Sequence, residues 1–187
     1  MQGGTAATQD VFIEHVGMPI LACIPQAVKA LQDLGMHRKV QLIVSGGIRS
    51  GADVAKALAL GADAVAIGTA ALIALGDNDP KWEEEYQKLG TTADAYDDWH
   101  EGRDPAGITT QDPELSKRFD PVLGGRRLKN YLKVMTLEAQ TIARACGKNH
   151  LHNLEPEDLV SLTIEAAAMA GVPLAGTNWI PGRNGGW

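Results

Sequence analysis

The chain has 187 residues, of which 44% are apolar and 21% charged, and its formal net charge is −6 at pH 7. These values exclude disorder as the main state and disfavour nucleic-acid or acidic-membrane partners. The longest apolar run, residues 64–75, is broken by a Gly-Thr pair and falls short of the roughly 18 residues of a membrane span. The first residues lack the features of a signal peptide, and Cys23 and Cys146 are too isolated for a disulfide framework. We therefore expect a cytoplasmic globular protein.

Helices and short strands are predicted to alternate over the first 76 residues. The predicted elements are a loop with a short extended piece (3–17), a helix (25–34), a buried strand (41–44), a helix (50–61), a buried strand (64–67) and a helix (69–76). Ser50 and Asp53 have the spacing of a capping box, and Thr69 is expected to cap the third helix. This alternation, with tight glycine-containing turns, predicts parallel βα units and an α/β fold.

The remaining chain is predicted to be polar at first and then helical. The predicted elements are a short helix (80–89), a turn-rich segment (105–121), a long helix that begins at 121, a last helix (156–170) and an irregular end (176–187). Asp120 and Pro121 have the residue types expected at the start of the long helix. Its apolar face is expected to contain Leu128, Leu132, Met135, Ala139, Ile142 and Cys146.

Two glycine-containing turns carry the strongest functional pattern. Gly46 and Gly47 follow the first predicted strand, and Gly68 and Thr69 follow the second. Each turn precedes a helix, so free backbone N–H groups, the missing Cβ and the helix dipole favour a phosphate there. Two such turns on neighbouring parallel strands are typical of the phosphate site of a (β/α)₈ barrel. The alternative is that these glycines only make tight turns.

Four motifs occur in order along the chain: Gly3-Gly-Thr5, Ser45-Gly-Gly-Ile-Arg-Ser-Gly51, residues 68–76 and Asp104-Pro-Ala-Gly-Ile-Thr-Thr-Gln-Asp-Pro-Glu-Leu115. Together they resemble the FMN-binding synthase domain of the glutamate synthase family, and the resemblance ends near residue 146. The stretch after Asp104 is its most specific part. The resemblance implies the C-terminal portion of a (β/α)₈ barrel, about strands 6–8. Residues 1–76 would form this portion, residues 77–121 an insertion and loop, and residues 122–187 a helical extension.

The same resemblance implies the cofactor, the substrates and the site residues. FMN would be bound, its phosphate by Ser45, Gly46, Gly47, Gly68 and Thr69, with Gly3, Gly4 and Thr5 near the flavin and substrate. The substrates would be 2-oxoglutarate or glutamate and an amine, and the imine would be reduced to glutamate by reduced FMN. Other subunits would supply amine and electrons. The catalytic residues, among them the family's lysine, would lie in strands 1–5, outside this sequence.

The chain departs from the family pattern where the family binds a 3Fe–4S cluster through three cysteines. Trp99 and Asp104 stand at the last two cysteine positions, and an insertion without cysteine follows Gly76. We therefore expect no cluster, since thiolates hold such clusters. A second departure is Ala6, where the family usually has glycine in the flavin loop.

The cluster-free pattern with an insertion resembles the glutamate-synthase-like subunit of methylamine–glutamate N-methyltransferase. That resemblance implies methylamine in place of ammonia as the amine. Two alternatives stay open. The first is another phosphate-binding barrel of the IMP dehydrogenase type, which has a similar Gly-Gly-Ile-Arg-Ser-Gly turn. That type needs a nucleophilic cysteine, whereas Cys23 lies in an apolar helical context. The second is that the chain alone is a non-catalytic half-barrel that needs another chain.

Overall fold

The structure is a computed structural model that describes residues 10–89 and 103–183. Gly3, Gly4, Thr5 and Trp99, which the sequence analysis singled out, lie outside the described residues. The described chain divides into two compact units. The first contains residues 10–17, 67–89 and 103–134, and the second contains residues 18–66 and 135–183. No helix in the described part is long and apolar enough to cross a lipid bilayer.

Helices dominate both units, and the described strands are short. The α-helices are α1 (Asp10–His15), α2 (Ile20–Asp33), α3 (Gly51–Ala59), α4 (Thr69–Leu75), α5 (Glu83–Lys88), α6 (Pro113–Ser116), α7 (Pro121–Ala145) and α8 (Ile164–Ala170). The strands are β1 (Ile43–Ser45) and β2 (Ala64–Ala66), and 3₁₀ helices cover Pro80–Trp82, Leu151–Asn153 and Pro156–Asp158. Helix α7 passes from the first unit to the second at residue 134.

The second unit contains a parallel βαβ arrangement. β1 pairs with β2 in parallel, with Val44 opposite Val65, and α3 connects the two strands. This pairing confirms the predicted parallel βα pattern over residues 43–66 and makes the fold α/β. One face of the pair is exposed, because Ile43 is 64% accessible while its neighbour Val44 is buried.

The apolar core of the second unit is made largely of small side chains. Ala55 and Ala59 of α3 pack with Ala143 of α7 and with Leu154. The partly buried residues around this cluster are Ile142, Cys146, Leu151 and Leu159. α2 packs against α8, where Ala167 is fully buried. Small residues let the helix backbones approach closely. The core of this unit is therefore buried mainly by close packing between helices.

Gly51 makes the closest of these backbone approaches. A Cβ on Gly51 would overlap the carbonyl oxygen of Met135 and lie 2.6 Å from the backbone nitrogen of Ala139. The backbone N–H of Gly51 donates to Oε2 of Glu138 over 2.6 Å. The first turn of α3 is therefore fixed against α7 by a contact that only glycine allows.

The first unit contains a polar segment folded against the beginning of α7. Asp120 caps α7 as predicted, since its Oδ1 accepts the backbone N–H groups of Val122 and Leu123 over 2.9 and 3.0 Å. Arg118 donates to Glu85 over 2.8 Å and stacks over the ring of Trp82 at 5.0 Å. These polar contacts connect α5 with the chain before α7.

Two predictions about the beginning of the chain are wrong. The extended piece expected near Val11 is the helix α1, and no strand in the described chain lies beside it. The helix expected from Pro25 begins five residues earlier, at Ile20 after Pro19. Pro25 lies inside α2, where its missing N–H leaves the carbonyl of Leu21 without the usual helical donor.

Two predicted helix starts also need correction. Gly68, not Thr69, occupies the cap position of α4, and it offers no side-chain acceptor. The helix expected over 156–170 is divided: a 3₁₀ helix ends at Asp158, and α8 begins after Thr163, whose side chain accepts from Ala166 N–H. The residues between them are extended because Ser161 exchanges backbone hydrogen bonds with the segment 173–175.

We expect Gly51→Ala to destabilise the protein by about 3 kcal/mol or more, because the methyl group would overlap the backbone of α7. Gly125→Ala is the matched control: Gly125 lies in α7, its added Cβ would meet nothing within 4 Å, and alanine favours a helix by about 0.5–1 kcal/mol. Urea unfolding measures both changes. Equal effects of the two substitutions would contradict the backbone contact.

Candidate cofactor-binding site

The turn after β1 offers an open backbone at the end of the strand. Gly46 and Gly47 have φ values of 132° and 66°, which residues other than glycine rarely adopt. A Cβ on Gly47 would meet nothing within 4 Å, and the N–H of Gly47 donates to no acceptor in the described chain. The exposed Ser45 precedes them. These donors and this space suit an anion, although the turn conformation alone already explains the two glycines.

The N–H groups at the start of α3, the helix that follows this turn, already donate to carboxylates of the protein. The capping box forms as predicted: Ser50 Oγ accepts the N–H of Asp53 over 3.3 Å. Asp53 Oδ2 accepts the N–H groups of Arg49 and Ser50, each over 3.0 Å. Glu138 takes the N–H of Gly51. The N-terminus of α3 thus has two acidic partners, so its dipole is not free for a bound phosphate.

The turn after β2 differs from the first, because α4 begins without a carboxylate. Gly68 and Thr69 are exposed, and their N–H groups donate to no acceptor in the described part of the chain. The first turn of α4 contains no acidic residue. A Cβ on Gly68 would meet nothing within 4 Å, and its φ of −121° lies outside the left-handed region that favours glycine. Neither packing nor a positive φ therefore accounts for glycine at this position.

A buried polar centre lies in the first unit, around Asp104. Its Oδ1 accepts the hydroxyl of Tyr86 and the N–H of Ala106, each over 2.9 Å. Its Oδ2 accepts the N–H groups of Ile108 over 2.7 Å and Thr109 over 2.8 Å, and the hydroxyl of Thr109 over 3.2 Å. Asp104 is 7% accessible. One side chain therefore accepts hydrogen bonds from three positions of the loop, residues 106, 108 and 109.

Tyr86 connects this centre to α5. It is 3% accessible, and its hydroxyl also lies 3.2 Å from the carbonyl oxygen and 3.3 Å from Oδ1 of the fully buried Asp77. Burial, followed by the charge of Asp77 and the contact with Asp104, raises the pKa of Tyr86 far above its usual range. The hydroxyl consequently stays protonated and acts as a donor. Sequence analysis missed Tyr86, whose only signal was an aromatic residue amid charged ones.

The residues at the position expected for an iron–sulfur cluster do not fit one. Asp104 has both carboxylate oxygens engaged by donors of its own loop and by the hydroxyl of Tyr86. The two cysteines, Cys23 and Cys146, belong to the other unit. Within the described ranges, no three His, Cys, Asp or Glu side chains are grouped as metal ligands. A thiolate-bound cluster therefore has no ligand set in this part of the chain.

Comparison with known proteins identifies the family. A family model described as the conserved region in glutamate synthase matches residues 1–80 and 94–149. The chain belongs to the glutamate synthase family. This membership leaves the IMP dehydrogenase alternative without support.

The chain is similar to three proteins of different sources. It is 87% identical to a glutamate synthase large subunit-like protein of Rhizobium meliloti strain 1021, over 98% of this chain and 41% of that protein. It is 42% identical to the archaeal glutamate synthase [NADPH] of Methanocaldococcus jannaschii, over 82% of this chain and 27% of that protein. It is 31% identical to the chloroplastic/mitochondrial ferredoxin-dependent glutamate synthase 1 of Arabidopsis thaliana, over 81% of this chain and 8% of that protein. The chain thus spans less than half the length of these relatives.

The family-specific stretch contains a second aspartate whose charge should affect stability. Asp112 caps α6, and its Oδ1 accepts the N–H groups of Leu115 over 3.0 Å and Glu114 over 2.8 Å. These two hydrogen bonds lower the pKa of Asp112 below its ordinary value of 3.8.

We expect the charged Asp112 to stabilise the fold above about pH 4 and to lose this effect as the pH falls through its lowered folded-state pKa. The difference in unfolding free energy between the wild type and Asp112→Ala should therefore be largest at neutral pH and shrink toward pH 3. Denaturant unfolding at a series of pH values measures this difference. A difference that stays constant down to pH 3 would contradict the assigned role of the charge.

Proposed function

We propose that this chain is the C-terminal part of an FMN-binding (β/α)₈ barrel of the glutamate synthase type. Gly46, Gly47, Gly68 and Thr69, with Ser45, would hold the phosphate of FMN, and the loop of residues 3–5 would lie near the flavin. The observation that carries this proposal is the turn at Gly68: it offers N–H groups that are unpaired within the described residues, open space and a helix start without a carboxylate. These are the properties that a bound phosphate requires.

The proposed reaction forms glutamate or N-methylglutamate from an amine and the skeleton of 2-oxoglutarate or glutamate. When bound, reduced FMN supplies the hydride that reduces the imine. The residues of this chain would anchor the phosphate and so fix the position of the flavin ring. We assign no acid–base residue to this chain. Other subunits or other parts of a longer protein would supply the amine and the electrons.

We further propose methylamine as the amine, with the chain acting in a methylamine–glutamate N-methyltransferase. The support is the departure from the family pattern around the cluster, where Asp104 replaces a cysteine and forms the buried polar centre described above. A pocket built for the methyl group would discriminate methylamine from ammonia by its contacts with that group.

A second candidate is that the isolated chain binds no flavin and acts as a half-barrel that another chain or segment completes. The exposed face of the β1–β2 pair favours it, since Ile43 is 64% accessible and the described strands pair only with each other. Open strand edges tend to pair with additional strands. Flavin bound stoichiometrically to a monomer of this chain would exclude this candidate.

We expect Gly68→Ala to weaken FMN binding about tenfold, or about 1.4 kcal/mol, because the methyl group would occupy the space proposed for the phosphate. Its unfolding free energy should stay within about 0.5 kcal/mol of the wild type, because the added Cβ meets no other atom within 4 Å. Flavin fluorescence titration of the full-length apoprotein measures the affinity. Gly125→Ala is the control and should leave it unchanged. Unchanged affinity in Gly68→Ala would refute the phosphate assignment.

We expect the full-length complex to prefer methylamine over ammonia by at least about tenfold in kcat/KM, since one methyl group in a fitted pocket is worth roughly 10–200-fold. The assay measures N-methylglutamate and glutamate formed from each amine under the same conditions. A preference for ammonia would defeat the methylamine proposal and leave glutamate formation in place.

A further inference from the structure

Asp104 lies in a pocket of donors that the proposed reaction does not use. The backbone N–H groups of Ala106, Ile108 and Thr109 converge on one carboxylate. Convergent N–H groups of this kind form an anion-binding concavity, or nest. The anion in this nest is the side chain of the loop itself. The loop therefore carries its own counter-ion, held at hydrogen-bond distances of 2.7–2.9 Å.

The acceptor capacity of Asp104 is fully used. A carboxylate has about four lone-pair sites on its two oxygens. Oδ1 receives donors from Tyr86 and Ala106, and Oδ2 receives two N–H groups and the hydroxyl of Thr109. An asparagine of the same shape would present only one oxygen. It would leave at least one buried N–H without an acceptor, at the cost of an unsatisfied polar group.

Tyr86 extends this arrangement beyond the loop. Its hydroxyl is the one donor to Asp104 that comes from α5, 18 residues earlier in the chain. Because the hydroxyl remains protonated, the contact persists as a hydrogen bond from a phenol to a carboxylate. Arg118 also contacts the loop, since it donates to the carbonyl of Pro105 over 3.1 Å. The loop is thus held from α5 and from the chain before α7.

We infer that Asp104 and Tyr86 hold the loop of residues 104–110 in its folded conformation without iron. In this loop, carboxylate, phenol and backbone N–H groups form the contacts at the position where the resemblance would place a metal cluster. An incoming iron would have to displace several of these donors and would find no thiolate in the first unit. Electrons for the proposed reaction would then reach the flavin without passing through this loop.

The test combines two substitutions with a metal analysis on the full-length polypeptide. Asp104→Asn and Tyr86→Phe each remove part of the arrangement with little change in shape, and Asp112→Asn is the matched control at an exposed aspartate that also accepts two backbone N–H groups. Hydrogen exchange measured by mass spectrometry reports on peptides that contain residues 106–109. Iron is measured after anaerobic incubation with ferrous iron and sulfide.

We expect Asp104→Asn to accelerate exchange in these peptides at least about tenfold, Tyr86→Phe to accelerate it less, and Asp112→Asn to leave it unchanged. In the double variant the two effects should not add, because Tyr86 acts through Asp104. The unaltered protein should bind no stoichiometric iron. Unchanged exchange in both variants would overturn the inference, as would uptake of about three irons per chain by the unaltered protein. If Asp104→Asn does not fold, Tyr86→Phe and the iron analysis decide.

Discussion

The contact between Gly51 and α7 is the constraint on which the second unit depends. It joins α3 to a helix almost ninety residues later in the chain through backbone atoms and one carboxylate, that of Glu138. α3 connects β1 to β2, so fixing its first turn also fixes where β1 ends and where the turn at Gly46 and Gly47 begins. A residue with a side chain at position 51 could not make this contact, because its Cβ would overlap backbone atoms of α7.

The contact with α7 also makes the start of α3 differ electrostatically from the start of α4, although the two look alike in the sequence. Both α3 and α4 follow a strand and a glycine, and both would attract an anion through their dipoles. At α3 the carboxylates of Asp53 and Glu138 already neutralise that attraction. At α4 no acidic residue lies in the first turn, and the N–H groups of Gly68 and Thr69 stay unpaired within the described chain. The electrostatic argument for an anion therefore applies to the start of α4 and not to the start of α3.

Among the predictions that rested on neighbouring residues, the caps at Ser50 and Asp120 were confirmed and the cap at Thr69 was wrong, whereas several contacts between distant residues could not be predicted. The capping box of Ser50 and Asp53 and the cap at Asp120 depend on residues two to three positions apart, so the sequence contains the whole signal. The extended residues before α8 depend instead on bonds with residues 173–175. The partner of Gly51 likewise required the tertiary structure. The phosphate site and the barrel stay predictions, since both rest on pattern and resemblance.

Burial decides which aspartate of the family-specific stretch fixes the loop. Asp104 and Asp112 use the same chemistry, since each carboxylate accepts consecutive backbone N–H groups. At the exposed Asp112, water can replace a lost acceptor, and asparagine caps a helix about as well as aspartate. At Asp104 the donors from Ala106 and Tyr86 are buried and those from Ile108 and Thr109 are partly buried, so the loss of an acceptor leaves a buried donor unsatisfied. Tyr86 adds to this difference, because its burial keeps a proton on the hydroxyl where the carboxylate needs a donor. The loop at Asp104 is therefore specified by a closed set of hydrogen bonds, in which a metal ion has no open ligand to bind.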